Sequence, residues 1–407
     1  MKIFKLFVTK IFLRRAVIFV SILGLIFMAN YLSFISARSI FSTLEGYQEI
    51  KRIDKKGNYI ANLDPESSID LDIITNKKVQ DVYDFLSANS KYAFYTDGFI
   101  VEIPNNHDMS VSLCYMNEEY YKLNQFELSD GKNLDFKYQL DNSEFIPVLV
   151  GKGLSQSYPV GTLIEIEEPV LGRSVTLKVQ GILKENLSHS NFYALNSKQY
   201  YNFSIFIPVN DEFLFQSNID LKLNGLMDII ILETSQKQVD ELQEVIHDNL
   251  KFRLNFFNQK ENFEYFNEYF FSSLKFITLI TVVLLIIITC ISIWNALVGI
   301  RLMIKDFTIN FLVGLSYSKF RKILYIYYGL LFLISLMLVF LITIYNRYGC
   351  WLRKDYSFAT YGFCGLIEMD WLALLTVIFF DIIIGILVTE ITIKRIKKVP
   401  ISVGVLQ

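Results

Sequence analysis

The sequence predicts an α-helical membrane protein with four transmembrane helices and a large α+β extracytoplasmic domain inserted between helices 1 and 2. Hydrophobic residues make up 52% of the 407 residues, and the mean hydropathy of +0.35 is too high for an ordinary soluble chain. The chain has four long apolar stretches, and a polar segment with mixed helix and strand patterns separates the first two. These observations together predict the fold class.

Two apolar stretches and the basic turn between them predict the topology. Phe276–Ile300 contains no charged residue and is long enough to cross a hydrocarbon core of roughly 30 Å. Ile323–Tyr345 is a second run of similar length. The turn between them carries five basic residues and one acid. Because short basic loops stay in the cytoplasm, we expect this turn to face the cytoplasm.

The other spans and both termini agree with that orientation. Ala16–Ile35 is predicted as a retained first span, with a cleaved signal peptide as the alternative. The basic segments Met1–Arg15 and Lys394–Lys398 predict that both termini lie in the cytoplasm. The predicted boundaries are an amphipathic segment at 1–15, spans at 16–35, 274–300, 323–345 and 370–392, the extracytoplasmic domain at 36–273, a coupling segment at 301–322, an outer loop at 346–369 and a tail at 393–407.

The polar segment after the first span shows both helical and strand periodicity. Asn76–Asn89 is predicted as an amphipathic helix, and Ser235 with Gln238 forms a capping box before a helix that ends at Leu250. A segment of this length is expected to form two subdomains. Strands are predicted at Tyr92–Ile103, Met109–Met116, Glu144–Val150, Leu163–Ile166, Ser174–Leu183, Ser204–Pro208 and Met227–Leu232.

Apolar stripes at both ends of this segment continue the helical pattern of the flanking spans. They predict two stalk helices at the base of the extracytoplasmic domain, with ordinary aromatic anchors at the membrane interface as the alternative. The residues of the two stripes are Ile40, Leu44 and Tyr47, then Phe263, Phe266 and Phe270.

The basic turn carries a short amphipathic helix pattern that Gly314 ends. Lys305-Asp306 comes first, then the apolar stretch Phe311–Ser316, then basic residues leading into the third span. In this order the sequence resembles the FtsX/MacB-like ABC transporter permeases, although Asp306 stands where that family usually has Glu. The resemblance implies that the turn contacts an ATPase subunit through Lys305, Asp306, Phe307, Phe311, Gly314 and Ser316.

The extracytoplasmic segment extends the resemblance over nearly the whole chain. Extracytoplasmic domains of this family carry an aromatic-rich helix, a Gly-basic turn, a Val-Gly turn, a strand ending in Val-x-Gly-Ile and a hydrophobic-Pro strand. The matching elements here are Tyr120-Tyr121, Gly131-Lys132, Pro159-Val160-Gly161, Val179-Gln180-Gly181-Ile182 and Phe206-Ile207-Pro208.

Motifs for catalysis, nucleotide binding and metal binding are absent from the sequence. No G-x-x-x-x-G-K-[S/T] occurs, so the chain cannot cradle nucleotide phosphates as a P-loop ATPase does. No catalytic residue, metal ligand or cofactor is therefore expected. Asp381 lies inside the fourth span and is a functional candidate, with a helix–helix hydrogen bond as the alternative. Cys350 and Cys364 share one outer loop, and both a disulfide and two free thiols remain open.

The resemblance implies the permease subunit of an ABC complex, with ATP bound by a separate ATPase subunit and a second permease subunit completing a homodimer or heterodimer. Export of, or resistance to, antimicrobial or other amphipathic peptides is the first expectation. Lipoprotein release and control of a cell-wall hydrolase are the alternatives within the class. An ATP-independent membrane-anchored sensor or adhesion module is the alternative outside it. The lipid membrane is an expected partner, and no nucleic acid is.

Overall fold

The computed structural model describes residues 16–64, 66–67, 69–141, 144–191, 194–302, 309, 311–312 and 314–398. The chain divides into two compact units. The first, here called the membrane unit, lies within Met1–Phe41, Ser273–Asn346 and Leu366–Gln407. The second, here called the α+β unit, comprises Ser42–Ser272 and Arg347–Gly365. The amphipathic segment predicted at 1–15 lies outside the described residues.

Long helices dominate the membrane unit, and short helices and strands make up the α+β unit. The helices are α1 (Ala16–Ile53), α2 (Asn76–Asn89), α3 (Glu118–Asn124), α4 (Asp211–Gln216), α5 (Ile219–Met227), α6 (Gln236–Leu250), α7 (Gln259–Tyr265), α8 (Ser272–Leu302), α9 (Tyr317–Leu352) and α10 (Glu368–Lys397).

The strands are β1 (Tyr59–Leu63), β2 (Lys91–Ala93), β3 (Tyr95–Val101), β4 (Val111–Met116), β5 (Leu128–Gly131), β6 (Ile146–Val150), β7 (Leu163–Glu168), β8 (Arg173–Leu183), β9 (Ser188–Asn191), β10 (Ala194–Tyr200), β11 (Ser204–Pro208), β12 (Ile230–Leu232) and β13 (Leu254–Asn258).

The helices of the membrane unit are long and apolar. Within the described residues, α1, α9 and α10 are each long and apolar enough to cross a membrane. Helix α8 contributes the shorter apolar stretch Leu274–Val283. By length and composition the chain is therefore a multi-pass membrane protein, while the count of four spans stays a prediction.

Helix α1 is longer than the span predicted at its start. Its 38 residues correspond to about 57 Å at 1.5 Å per residue, against roughly 30 Å of hydrocarbon. Its last turns lie in the α+β unit, where the Tyr47 ring is 4.9 Å from the ring of Phe271. The Asn262 amide on α7 also donates a hydrogen bond to Asp54 at 3.0 Å. The last turns of α1 thus pack against α7 and against Phe271.

The predicted stripes of the stalk helices are only partly buried there. Phe266 is buried, while Leu44 and Phe263 are exposed. The side chain of Phe270 lies outside the described residues. A π-helical turn, Phe266–Phe271, joins α7 to α8 without a break in the helical chain path. An inserted π turn of this kind shifts the register of the side chains that follow it.

A seven-stranded mixed sheet forms the larger core of the α+β unit. Its strand order is β3-β4-β11-β6-β8-β5, and β7 also pairs with β8. Strand β11 runs parallel to β4, and β6 runs parallel to β8. Every residue of β4, β6 and β11 is buried. Their near-continuous apolar sequences are typical of strands covered on both faces.

A four-stranded sheet of order β13-β1-β12-β2 forms the second part of the same unit. Helices α2 and α6 pack against each other beside it. Val79, Val82 and Leu86 of α2 are buried, as their helical spacing predicts. The capping box of Ser235 and Gln238 is present at the start of α6. Both sheets lie within one compact unit and share one hydrophobic core, whereas the length of the segment predicted two subdomains.

The strand predicted at Tyr92–Ile103 is two strands in different sheets. Strand β2 belongs to the four-stranded sheet and β3 to the seven-stranded one. Phe94 lies between them, and its backbone N–H donates to the Asn117 side chain at 2.9 Å. That bond satisfies a buried backbone group at the point where the chain leaves one sheet for the other. Ala93, Phe94, Tyr95 and Thr96 are all buried, so burial does not alternate across the break.

The last residues of α9 and the segment that follows them pack against the rest of the α+β unit as a clasp, defined here as residues 347–365. The Trp351 ring lies 5.1 Å from His107, 5.2 Å from Tyr361 and 5.7 Å from Phe203. The Asn186 side chain binds both backbone groups of Tyr361, donating to its carbonyl at 2.9 Å and accepting from its N–H at 2.8 Å. Asn186 is thus the residue that fixes the clasp most specifically.

We expect Asn186→Ala to loosen the clasp. The change removes both hydrogen bonds to Tyr361 and places Ala at φ +58°, where Asn is far better tolerated. The loss should be roughly 1–3 kcal/mol because buried backbone groups lose their partner. Hydrogen exchange of amides 357–362 and thermal unfolding in detergent measure it. Asn89→Ala, which removes one exposed side-chain bond within α2, is the matched control. Equal protection in both variants contradicts the assignment.

Candidate functional site

The predicted coupling segment lies between α8 and α9, and the structure describes part of it. Lys305, Asp306 and Phe307 lie outside the described residues, whereas Phe311, Gly314 and Ser316 are described. The coupling role of all six residues stays a prediction. The geometry of the described three shows what each does within this chain.

Gly314 makes the turn that the apolar segment needs before α9. Its φ is +99°, a conformation that L side chains rarely adopt, and its N–H donates to the Phe311 carbonyl at 3.1 Å. Ser316 begins the next helix, because its hydroxyl accepts a hydrogen bond from Lys319 N at 3.3 Å. The sequence predicted the stop at Gly314, and the structure gives its physical reason.

Phe311 is partly buried and packs against a hydrophobic cluster of the membrane unit. Its ring lies 4.8 Å from Tyr317 and 5.6 Å from Phe320, which is fully buried. The exposed apolar residues of this segment are instead Ile309 and Leu312, with 50% and 61% of their surface accessible. The sequence pattern placed Phe311 and Leu312 on one face, and it missed Ile309. The sequence pattern does not distinguish a side chain that packs inward from one that is exposed to a partner. The fold of the turn shows the difference.

Asp381 lies in α10 within the membrane unit and contacts a polar residue of α1. Its Oδ2 accepts a hydrogen bond from the Asn30 side chain at 3.0 Å, and both residues are buried. Its Oδ1 has no hydrogen-bond partner among the described residues. Asp381 also lines a crevice of about 390 Å³ with Tyr328, Phe332 and neighbouring apolar residues. The structure thus contains the helix–helix hydrogen bond that was the alternative to a functional role.

A second polar contact links the same two helices. Arg38 Nε lies 2.7 Å from Asp370 Oδ1, and the Asp370 side chain is fully buried. The sequence analysis singled out neither this pair nor Asn30. An uncharged amide inside an apolar span is the signal that could have found Asn30, because such a group needs a partner in lipid. Which residue becomes the partner of Asn30 depends on how the helices pack, and no local sequence pattern shows that packing.

Both cysteines of the predicted outer loop, Cys350 and Cys364, lie in the clasp. Cys350 is half-buried, Cys364 is exposed, and neither forms a disulfide in this structure. Cys364 has a φ of +56° and lies between two glycines whose φ values are also positive. This tight turn fixes the backbone around Cys364. A disulfide between the two therefore stays a prediction to be tested by mass before and after reduction.

Within the ranges that the structure describes, no group of three His, Cys, Asp or Glu residues could hold a metal ion. No family model matches the chain, and no curated protein matches it at significance. Among solved structures, the chain is similar to the extracellular domain of the noncanonic ABC-type transporter YknZ from Gram-positive bacteria, at 14% identity and a TM-score of 0.30. That match covers 49% of this chain and 100% of that one.

The chain is also similar to the periplasmic region of MacB from Actinobacillus actinomycetemcomitans, at 13% identity and a TM-score of 0.32. This match covers 52% of this chain and 92% of that one. The chain resembles the FtsX/MacB-like permeases.

We expect Asp381→Leu to destabilise the membrane unit, because the Asn30 amide loses its acceptor in an apolar surrounding. The cost should be roughly 1–3 kcal/mol, whereas Asp381→Asn keeps an acceptor oxygen and should cost less. Thermal unfolding in one detergent measures both variants. The double variant Asn30→Leu/Asp381→Leu should be less destabilised than the sum of the single changes. Strict additivity would reject a direct interaction between the two side chains.

Proposed function

We propose that the chain is the permease subunit of an ABC transporter complex that couples ATP hydrolysis by a separate ATPase subunit to motion of the α+β unit. The observation that supports this most directly is the organisation of the chain: an α+β unit inserted between α1 and α8, and a basic turn between α8 and α9. A second permease subunit, identical or different, completes the complex. ATP is bound by the partner, and this chain supplies no catalytic residue.

The proposed contact with the ATPase is the exposed apolar pair Ile309 and Leu312. Apolar side chains three apart lie on one face of a helical turn, and burying them against a partner gives most of the binding energy. Lys319 and Lys322 lie exposed at the start of α9 and can steer an acidic partner surface to this place. Lys305 and Asp306 would orient the contact, as the family resemblance implies. The turn is proposed to face the cytoplasm of a bacterial cell, together with both termini.

Export of, or resistance to, antimicrobial or other amphipathic peptides is the proposed role of the complex. It rests on the family resemblance and on the size of the α+β unit, which contains three sheets and a cavity described below. Lipoprotein release and control of a cell-wall hydrolase use the same coupling and differ in the molecule handled. A sensor or adhesion module would need no ATPase, so purification of the wild-type complex separates that class.

We expect Leu312→Ser and Ile309→Ser each to weaken binding of the ATPase by about tenfold or more, because burial of such side chains contributes roughly 1.5–3 kcal/mol. The protein is purified in mild detergent from its native membranes, and the bound ATPase is quantified by mass spectrometry and ATP hydrolysis. Phe215→Ser makes the same kind of change at an exposed apolar residue of the α+β unit and is the matched control. Absence of any ATPase from the wild-type preparation would overturn the proposed function.

Gly314→Val tests the turn separately from the contact surface. A β-branched residue at φ +99° strains the backbone by roughly 1–2 kcal/mol or more. We expect this variant to lose peptide resistance in cells while the α+β unit keeps its wild-type protease resistance. If Gly314→Val, Ile309→Ser and Leu312→Ser all keep normal assembly and resistance at normal expression, this turn is not the coupling element.

A further inference from the structure

A cavity of about 400 Å³ lies in the α+β unit between the last turns of α1 and the β9–β10 hairpin. Its volume is in the range of small-molecule sites and exceeds that of one long amino-acid side chain. Three aromatic rings, those of Tyr95, Tyr120 and Phe126, form part of its wall. The rings of Tyr95 and Tyr120 stack at 4.6 Å, so this part of the wall is rigid.

The cavity is lined by more carboxylates than cations: Glu45, Glu49, Asp97, Glu127 and Asp228 face it together with Arg52. Some of these acids are already paired. Lys198, buried beside the cavity, lies 2.9 Å from both Glu45 and Glu49. Glu127 pairs with Lys184 at 2.6 Å. The acids in these pairs already have a cationic partner. Asp97 and Asp228 are the two acids of the lining that remain.

Asp97 and Asp228 have no lysine or arginine nitrogen within 4 Å among the residues that the structure describes. Asp97 accepts a hydrogen bond from the Tyr95 hydroxyl at 2.9 Å, and His189 Nε2 lies 3.9 Å away. Burial lowers the pKa of His189, which keeps its ring largely neutral at pH 7 and therefore leaves the Asp97 charge uncompensated. Desolvation, with repulsion from Asp97 second, raises the pKa of Asp228 to about 6, so it too is mostly ionised at pH 7.

Two buried polar atoms in the same wall also lack a partner. Ser190 is 7% exposed, and its hydroxyl has no hydrogen-bond partner among the described residues. The same holds for Nδ1 of His189. A buried polar atom without a partner costs free energy, and a ligand group in the cavity can supply the missing hydrogen bond. Ser190 and His189 both line the cavity, so these two atoms lie beside the place that an occupant would take.

We propose that this cavity binds an organic cation, an ammonium or guanidinium group on a flexible chain, with Asp97 and Asp228 as its counter-ions. Carboxylates beside aromatic rings stabilise such a cation through charge and through the ring faces. A metal ion fits less well, because no three acidic, His or Cys groups come together in the described residues. A lysine or arginine side chain of a peptide and a free polyamine both carry this chemistry. The role as a peptide-recognition site rests on the proposed function, whereas the binding does not.

The test measures binding to the full-length protein in detergent by calorimetry at pH 7.5. The probes are a synthetic hexapeptide with two lysines and two leucines, its counterpart with acetylated lysines, spermidine and calcium chloride. We expect saturable binding of the lysine peptide and at least tenfold weaker binding of the acetylated one. Tighter binding of spermidine than of the peptide supports the cation site and assigns it to polyamines. Binding of calcium alone, or no saturable binding of either amine, overturns the proposal.

Substitutions in the cavity locate the bound charge. Asp97→Asn and Asp228→Asn should each weaken amine binding by about tenfold or more, since each removes a counter-ion and keeps the shape of the side chain. Glu127→Gln removes one negative charge from the same rim at a residue already paired with Lys184, and should change the affinity less than about threefold. If all three variants lose the same amount of affinity for the amine and keep their thermal midpoints, the amine is attracted by the overall negative charge and not by this site.

The pH dependence gives a further readout. Protonation of Asp228 below its pKa of about 6 removes one counter-ion, so wild-type binding should weaken by about tenfold between pH 7.5 and pH 5. Protonation of His189 acts in the same direction, while Glu49 and Lys198 remain paired. Asp228→Asn should show a smaller change over this range. Because no ATPase is present in these experiments, loss of amine binding rejects the cavity proposal alone, and loss of ATPase copurification rejects the proposed function alone.

Discussion

The apolar length of α1, α9 and α10 is the constraint on which the rest of the structure depends. Helices of this composition need lipid on their outer faces, and a helix is the only open-chain structure that satisfies its own backbone there. Polar side chains inside such a unit must then find each other. Asn30 with Asp381 and Arg38 with Asp370 do so between α1 and α10. Both pairs fix which faces of the two helices meet.

The same constraint explains how the α+β unit is held. It is inserted between α1 and α8, and a second connection, the clasp that follows α9, returns to it. Asn186 and the rings around Trp351 join the clasp to the rest of the unit, so the two chain segments Ser42–Ser272 and Arg347–Gly365 form one compact body.

Much of this was predictable from local pattern. The helix at Asn76–Asn89, the capping box of Ser235 and the stop at Gly314 follow from spacing and residue type, and the structure has all three. What the sequence missed depends on distant partners. The strand predicted through Phe94 is interrupted where the Asn117 side chain accepts a hydrogen bond from the Phe94 backbone. Phe311 turns inward because its ring packs against Tyr317 and Phe320 in the first turn of α9. Asn186 likewise has its hydrogen-bond partner, Tyr361, at a distant place in the sequence.

The most direct test of the account is the sidedness of the two regions in intact cells. Single cysteines are placed at Lys237, an exposed position of α6, and at Ser318, an exposed position at the start of α9, in a variant whose four native cysteines are replaced. An impermeant thiol reagent should label the cysteine at 237 and leave the one at 318 unlabelled until the membrane is permeabilised. Labelling at 318 in intact cells, or protection at 237, would contradict an α+β unit outside the cell and a coupling turn within it.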